Sequence, residues 1–171
     1  MNKVELVIGG ARSGKSRYAE NTAIDSGKPV IYIATSEVRD NEMAARVEIH
    51  KAQRPSHWQV IEEPLKLAQV LKENSREDNC ILVDCLTLWL SNCLFTESDN
   101  IWADDKKALI DTLTELPGQV ILVTNEVGCG IIPMGEMTRQ YVDEAGLLHQ
   151  EIAAQVNKVT LVTAGLPLFL K

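Results

Sequence analysis

A short apolar-rich run, Val4–Ile8, leads directly into Gly9-Gly10-Ala11-Arg12-Ser13-Gly14-Lys15-Ser16 and then into a helical pattern. No other stretch constrains the chain as strongly. The octapeptide fits G-x-x-x-x-G-K-[ST], the loop that cradles phosphates between a strand and a helix. A triphosphate is held by converging backbone N–H groups and a helix N-terminus, so the loop needs glycines that let the backbone approach closely. In that arrangement Lys15 reaches the β- and γ-phosphates and the Ser16 hydroxyl takes one Mg2+ position. A cation held through one hydroxyl and phosphate oxygens calls for a carboxylate at the end of a neighbouring strand. Asp84, which closes Cys80-Ile81-Leu82-Val83, is the candidate, and it can also serve as N-cap of the helix that follows.

Further short runs rich in β-branched residues alternate with longer helical patterns. This is the habit of an α/β fold with a mostly parallel sheet flanked by helices. Strands are expected at Val4–Ile8, Val30–Ala34, Gln59–Ile61, Cys80–Asp84, Gln119–Thr124 and Lys158–Thr163. Helices are expected from Gly14 to about Ser26, and at Asn41–Gln53, Leu65–Lys72, Leu86–Phe95, Ala103–Leu116 and Met134–Val156. In the last of these, Met137, Tyr141, Ala145, Leu148 and Ile152 recur at spacings of three and four, an apolar stripe suited to core packing. With no repeat, low-complexity tract or linker, residues 1–171 read as a single nucleotide-binding domain.

The net charge of −7 argues against a nucleic-acid or anionic-membrane surface, which needs a basic excess. The charge is uneven: residues 1–96 carry 12 basic and 13 acidic side chains, and residues 97–171 carry 5 and 11. Any anion site belongs in the first half. Cys80, Cys85, Cys93 and Cys129 show no metal-ligand spacing and read as reduced thiols of a cytoplasmic protein. The opening MNKVELVIGG is too short an apolar run for a signal peptide, and no apolar stretch is long enough to span a bilayer.

Of the three histidines, His50 lies among Arg46, Lys51 and Arg54. Neighbouring cations lower an imidazole's pKa and keep a nitrogen lone pair available for a phosphorus centre, although a solvated helix face would carry the same residues. His57, beside Trp58, reads as a capping or packing residue at a strand entry. His149 reads as a helix-surface or subunit-contact residue.

Taken together, the segments GGARSGKSRYAE at 9–20, YIATSE at 32–37, DNEMAARVEIHKAQRPSHW at 40–58, the strand with Asp84, VTNEVGCGIIP at 123–133 and VTLVTAGLPL near the C-terminus are similar to one family in order and nearly full length. The chain resembles the bifunctional adenosylcobinamide kinase / adenosylcobinamide-phosphate guanylyltransferase family of cobalamin nucleotide-loop assembly. The resemblance implies a RecA-like P-loop domain that forms a homotrimer. It implies phosphate transfer from ATP or GTP to adenosylcobinamide, then GMP transfer from GTP through a covalent GMP-histidine, here His50. It also implies nucleotide contacts at Gly9, Gly10, Ala11, Arg12, Ser13, Gly14, Lys15 and Ser16, at Ala34, Thr35 and Ser36, at Lys51, Ala52, Gln53 and Arg54, and at Glu62 and Asp84.

Two departures from the family pattern stand out. Where some members carry two adjacent histidines, this chain has Ile49 before His50, and where some carry Glu it has Asp84. A monofunctional P-loop kinase and a regulatory RecA-type ATPase are the alternatives, and neither would form a covalent GMP adduct. The resemblance leaves the corrinoid pocket unassigned. The Asn125–Pro133 loop and the segments around Trp89 and Trp102, at a subunit boundary, are the candidates.

Overall fold

The computed structural model describes residues 3–36, 55–96 and 101–171. Continuous apolar runs become strands covered on both faces. These are β1 (Lys3–Gly9), β2 (Val30–Ala34), β4 (Cys80–Asp84), β5 (Gln119–Asn125) and β6 (Lys158–Thr163). β3 (Gln59–Glu62) and β7 (Leu166–Phe169) close the two edges. The order across the sheet is β3-β2-β4-β5-β1-β6-β7, parallel throughout except for β7 against β6.

The helices are α1 (Lys15–Asp25), α2 (Leu67–Asn74), α3 (Leu86–Leu94), α4 (Ile101–Leu113) and α5 (Glu136–Gln155). Because successive strand residues face opposite ways, the core divides in two. On one side Leu6, Ile33, Ile81, Val83, Val120 and Leu122 pack with α2 to α5. On the other, Val7, Tyr32, Leu82, Ile121, Val123 and Val162 pack with Ala19 and Ala23 of α1. The expected strands and helices among the described residues are present, with ends displaced by a few residues. The helix expected at Asn41–Gln53 lies outside the described residues.

Three readings are corrected. The first is a strand the sequence reading did not anticipate, β7. Its hairpin is closed by Ala164 and Gly165, with φ of 53° and 77°, between the paired residues Thr163 and Leu166. Two positive φ angles in a two-residue loop match the twist of the flanking strands.

The second concerns the stripe on α5. Ala145, Leu148 and Ile152 are buried and Tyr141 packs beside them, but Met137 is 63% exposed. The first turn of the helix lies beyond the layer that its later turns cover.

The third concerns the tryptophans. Trp89 and Trp102 are buried and meet edge to face, with ring centroids 5.5 Å apart, so they are core residues and not a ligand surface.

Candidate nucleotide site at the C-terminal edge of the sheet

The loop after β1 is shaped by contacts that demand its glycines. A Cβ on Gly9 would stand 2.5 Å from Ser13 Oγ and 2.6 Å from the carbonyl oxygen of Val162. Gly14 has φ 93° and lies against the hairpin, where a Cβ would be 3.0 Å from Gly165 Cα. The hairpin in turn holds the loop, the Gly165 N–H donating to the Ser13 carbonyl at 2.8 Å. Gly14 caps α1 with no side-chain hydrogen bond, so no side chain competes for the first-turn N–H groups. The Ser13 hydroxyl is buried with no hydrogen-bond partner among the described residues. A buried orphan hydroxyl in a glycine-lined loop is chemically suited to a phosphate oxygen.

Lys15 Nζ donates to the Gly10 carbonyl at 3.1 Å, which folds the ammonium back over the loop. Burial lowers its pKa, and the nearby charge of Asp84 opposes that shift. A half-buried ammonium with one carbonyl partner gains strongly from an anion. Asp84 stands at the end of β4, on the α1 side, and its Oδ2 accepts from the Tyr32 hydroxyl at 2.9 Å. It does not cap α3, whose N-cap is Cys85 without a side-chain bond. The carboxylate is thus held by a tyrosine and not spent on the helix.

One carboxylate, the Ser16 hydroxyl and incoming phosphate oxygens form a donor set that suits Mg2+, which keeps several waters and needs no all-protein cage. No group of three or more His, Cys, Asp or Glu forms a metal cluster among the described residues.

The remaining expected contacts divide. Ala34 ends β2 beside Asp84 in the register. The next residue, Thr35, is fully buried: its hydroxyl donates to the Cys85 carbonyl at 2.6 Å and accepts from the Cys85 N–H at 2.9 Å. Thr35 therefore ties the ends of β2 and β4 together. Glu62 ends β3, four strand spacings from β1 or roughly 19 Å. Only a part of a nucleotide remote from the loop-bound phosphates could reach it. Ser36 follows on the same edge. His50, Lys51, Ala52, Gln53 and Arg54 lie outside the described residues.

The sequence reading missed a polar cluster at the end of β5. His149 does not lie on the helix surface: Nε2 is 2.8 Å from Thr124 Oγ1, and burial lowers its pKa against the opposing charge of Glu126. The only sequence signal was its place beside Leu148 in the buried stripe. His57 is exposed at the entry to β3.

A family model described as cobinamide kinase / cobinamide phosphate guanyltransferase matches residues 5–170. The bifunctional adenosylcobalamin biosynthesis protein CobP of Pseudomonas aeruginosa is 52% identical over 167 residues, covering 98% of this chain and 96% of its own. The corresponding CobU protein of Escherichia coli is 38% identical, covering 97% and 98%. Among solved structures, the flagellar accessory protein FlaH of Methanocaldococcus jannaschii superposes with a TM-score of 0.55 at 14% identity, covering 99% of this chain and 78% of its own. The RadB recombinase gives 0.51 at 16% identity, covering 94% and 74%. These two likenesses concern the fold alone, that of a RecA-like P-loop NTPase.

Proposed function

The chain belongs to the cobinamide kinase / cobinamide phosphate guanyltransferase family, and on that premise we propose the two reactions in atomic terms. First, the γ-phosphoryl group of ATP or GTP passes to the hydroxyl of adenosylcobinamide. Second, GMP passes from GTP to the resulting phosphate by way of a phosphoramidate on His50. That this is a bifunctional kinase and guanylyltransferase of cobalamin biosynthesis follows from the family. The observation that carries the chemistry is the loop itself. The loop brings together Lys15, the orphan Ser13 hydroxyl and the uncapped start of α1, and the charge of Asp84 acts on Lys15.

For the kinase step the chain supplies positioning and charge neutralisation through Lys15 and the loop N–H groups. Ser16 and Asp84 are the residues that would hold Mg2+, which when bound neutralises charge on the phosphates. For the second step, a neutral His50 nitrogen attacks the α-phosphorus, the N–P bond forms, and the bond to the bridging oxygen breaks. Pyrophosphate leaves with both bonding electrons, and the imidazole's other proton passes to solvent. An oxygen of the acceptor phosphate then attacks the same phosphorus, the P–N bond breaks with its electron pair on nitrogen, and a proton taken back from solvent regenerates the neutral imidazole. His50 holds this role through its cationic neighbours in the sequence and the family resemblance.

A homotrimer in the cytoplasm completes the reading. Leu166, Leu168 and Phe169 of β7 are each more than half exposed, an apolar edge that supports assembly, and the four cysteines are free thiols suited to a reducing compartment.

The deciding experiment uses GTP labelled at the α-phosphate. The protein should acquire a label that is lost in acid and kept in base, and His50→Ala should abolish it. Uptake by His50→Ala would reassign the nucleophile. Sedimentation equilibrium tests the trimer.

A further inference from the structure

β3 is an edge strand with little packing of its own. Only Ile61 packs against the core, while Gln59, Val60 and Glu62 are exposed. Its register with β2 ends at Ala34 and Glu62, and one further bond follows, the Glu63 N–H donating to the Ala34 carbonyl at 2.9 Å. Beyond it the chain leaves both strands, and the ladder no longer holds their ends together.

The join is made from α3. Asn92, buried on a helix whose other buried residues are Leu86, Trp89, Leu90 and Cys93, donates from Nδ2 to the Thr35 carbonyl at 2.8 Å and to the Pro64 carbonyl at 3.1 Å. Two carbonyls facing one carboxamide fix its orientation, because only the nitrogen can donate. One turn earlier, Trp89 Nε1 donates to the Leu65 carbonyl at 2.8 Å. At the start of the same helix, Thr87 Oγ1 accepts from the Asn125 N–H at 2.8 Å, and Asn125 pairs in register with Gly9 of the phosphate loop. α3 is thus a strut along the C-terminal edge of the sheet. One end is seated beside the phosphate loop and the other grips the ends of β2 and β3.

We propose that Asn92 is a positioning residue for the nucleoside half of the donor nucleotide. Its two bonds set Ala34, Thr35 and Ser36 against Glu62 and hold both strand ends at a fixed reach from the phosphate loop. The bonds run to backbone carbonyls, so they do not depend on the Thr35 side chain. Contacts fixed before the ligand arrives lower the ordering cost of binding, and a ligand held by the loop alone gains nothing from them. The inference rests on the loop holding the phosphates, as proposed above, and on Glu62 meeting the part of the nucleotide remote from them.

The test compares GTP with inorganic tripolyphosphate, which has the phosphates and no nucleoside, by titration calorimetry of the full-length protein with Mg2+. Asn92→Ala should weaken GTP about tenfold, the scale of one net hydrogen bond, and leave tripolyphosphate unchanged. In kinase assays the KM for nucleotide should rise by the same factor, with kcat at saturation unchanged. Asn92→Gln, which keeps the donors one methylene further out, should recover part of the GTP affinity. Equal losses for the two ligands in both variants, whether from a damaged loop or an unfolded chain, would mark Asn92 as a residue of the fold alone and overturn the proposal. An unchanged GTP affinity in Asn92→Ala would overturn it as well. Two controls address the premise. Lys15→Ala should weaken both ligands, and if it weakens neither, the loop reading fails and this inference with it. Glu62→Ala should weaken GTP alone. If it does not, the nucleoside does not reach β3 and the inference falls with that placement, whereas effects of Lys15→Ala and Glu62→Ala with a silent Asn92→Ala defeat this inference alone.

Discussion

The N–H of Gly165 donates to the carbonyl of Ser13 at 2.8 Å, so the turn of the β6–β7 hairpin is a wall of the phosphate loop. The two turn residues make opposite predictions. Gly165→Ala places a Cβ at φ 77°, where left-handed backbone costs roughly 1 kcal/mol, and it disturbs the group that supports Ser13. Urea unfolding should register that loss, and nucleotide affinity should fall with it. Ala164 already holds φ 53° with a Cβ, so Ala164→Gly should raise stability by a few tenths to about 1 kcal/mol and leave nucleotide affinity unchanged. If both variants behave alike, the turn is not what shapes the loop.

Tyr32 holds one oxygen of Asp84, and a ligand carboxylate fixed from behind binds a cation better than a free one. Tyr32→Phe should shift the Mg2+ concentration needed for half-maximal transfer upward by about tenfold, the lower end of the usual loss for such partners. Metal-free nucleotide binding, measured by titration calorimetry, should not move. An unchanged Mg2+ midpoint would show that Asp84 does not work through this bond.

Thr35 separates a nucleotide contact from a structural one. Its buried hydroxyl serves both the N–H and the carbonyl of Cys85, so Thr35→Val should cost about 2 kcal/mol by leaving backbone groups unpaired. Thr35→Ser keeps both bonds and should lose only about 1 kcal/mol for the missing methyl. Nucleotide affinity well below the unfolding transition should be the same in both. A selective loss of affinity in Thr35→Val would show that Thr35 contacts the nucleotide as well.

What was legible in the sequence was what local pattern determines. β1, the loop and α1 could be read because strand run, glycine spacing and helix period occur consecutively in one short segment. β7 could not, because Leu166-Pro167-Leu168-Phe169 has no alternation to mark a half-buried strand, and only the Ala164-Gly165 turn signalled it. Met137 was misread because periodicity reports which face of a helix is apolar and not how far its partner layer extends. His149 and Thr124 lie 25 residues apart, and their meeting depends on α5 packing over β5, which no local pattern records.

His149 also carries a pH signature. Burial lowers its pKa below 6.5, with Glu126 opposing, so the native state takes up its proton less readily than the unfolded chain. A histidine with a depressed native pKa contributes its full stability above about 6.5 and loses it as pH falls through the lower native value. Wild type should therefore lose stability on acidification, and His149→Gln should lose measurably less over the same interval because its side chain does not titrate. Urea midpoints of both proteins on either side of that window give the comparison, and the difference cancels His57 and His50, which both proteins retain. Parallel midpoints across the window would mean that His149 titrates as freely in the fold as in the unfolded chain.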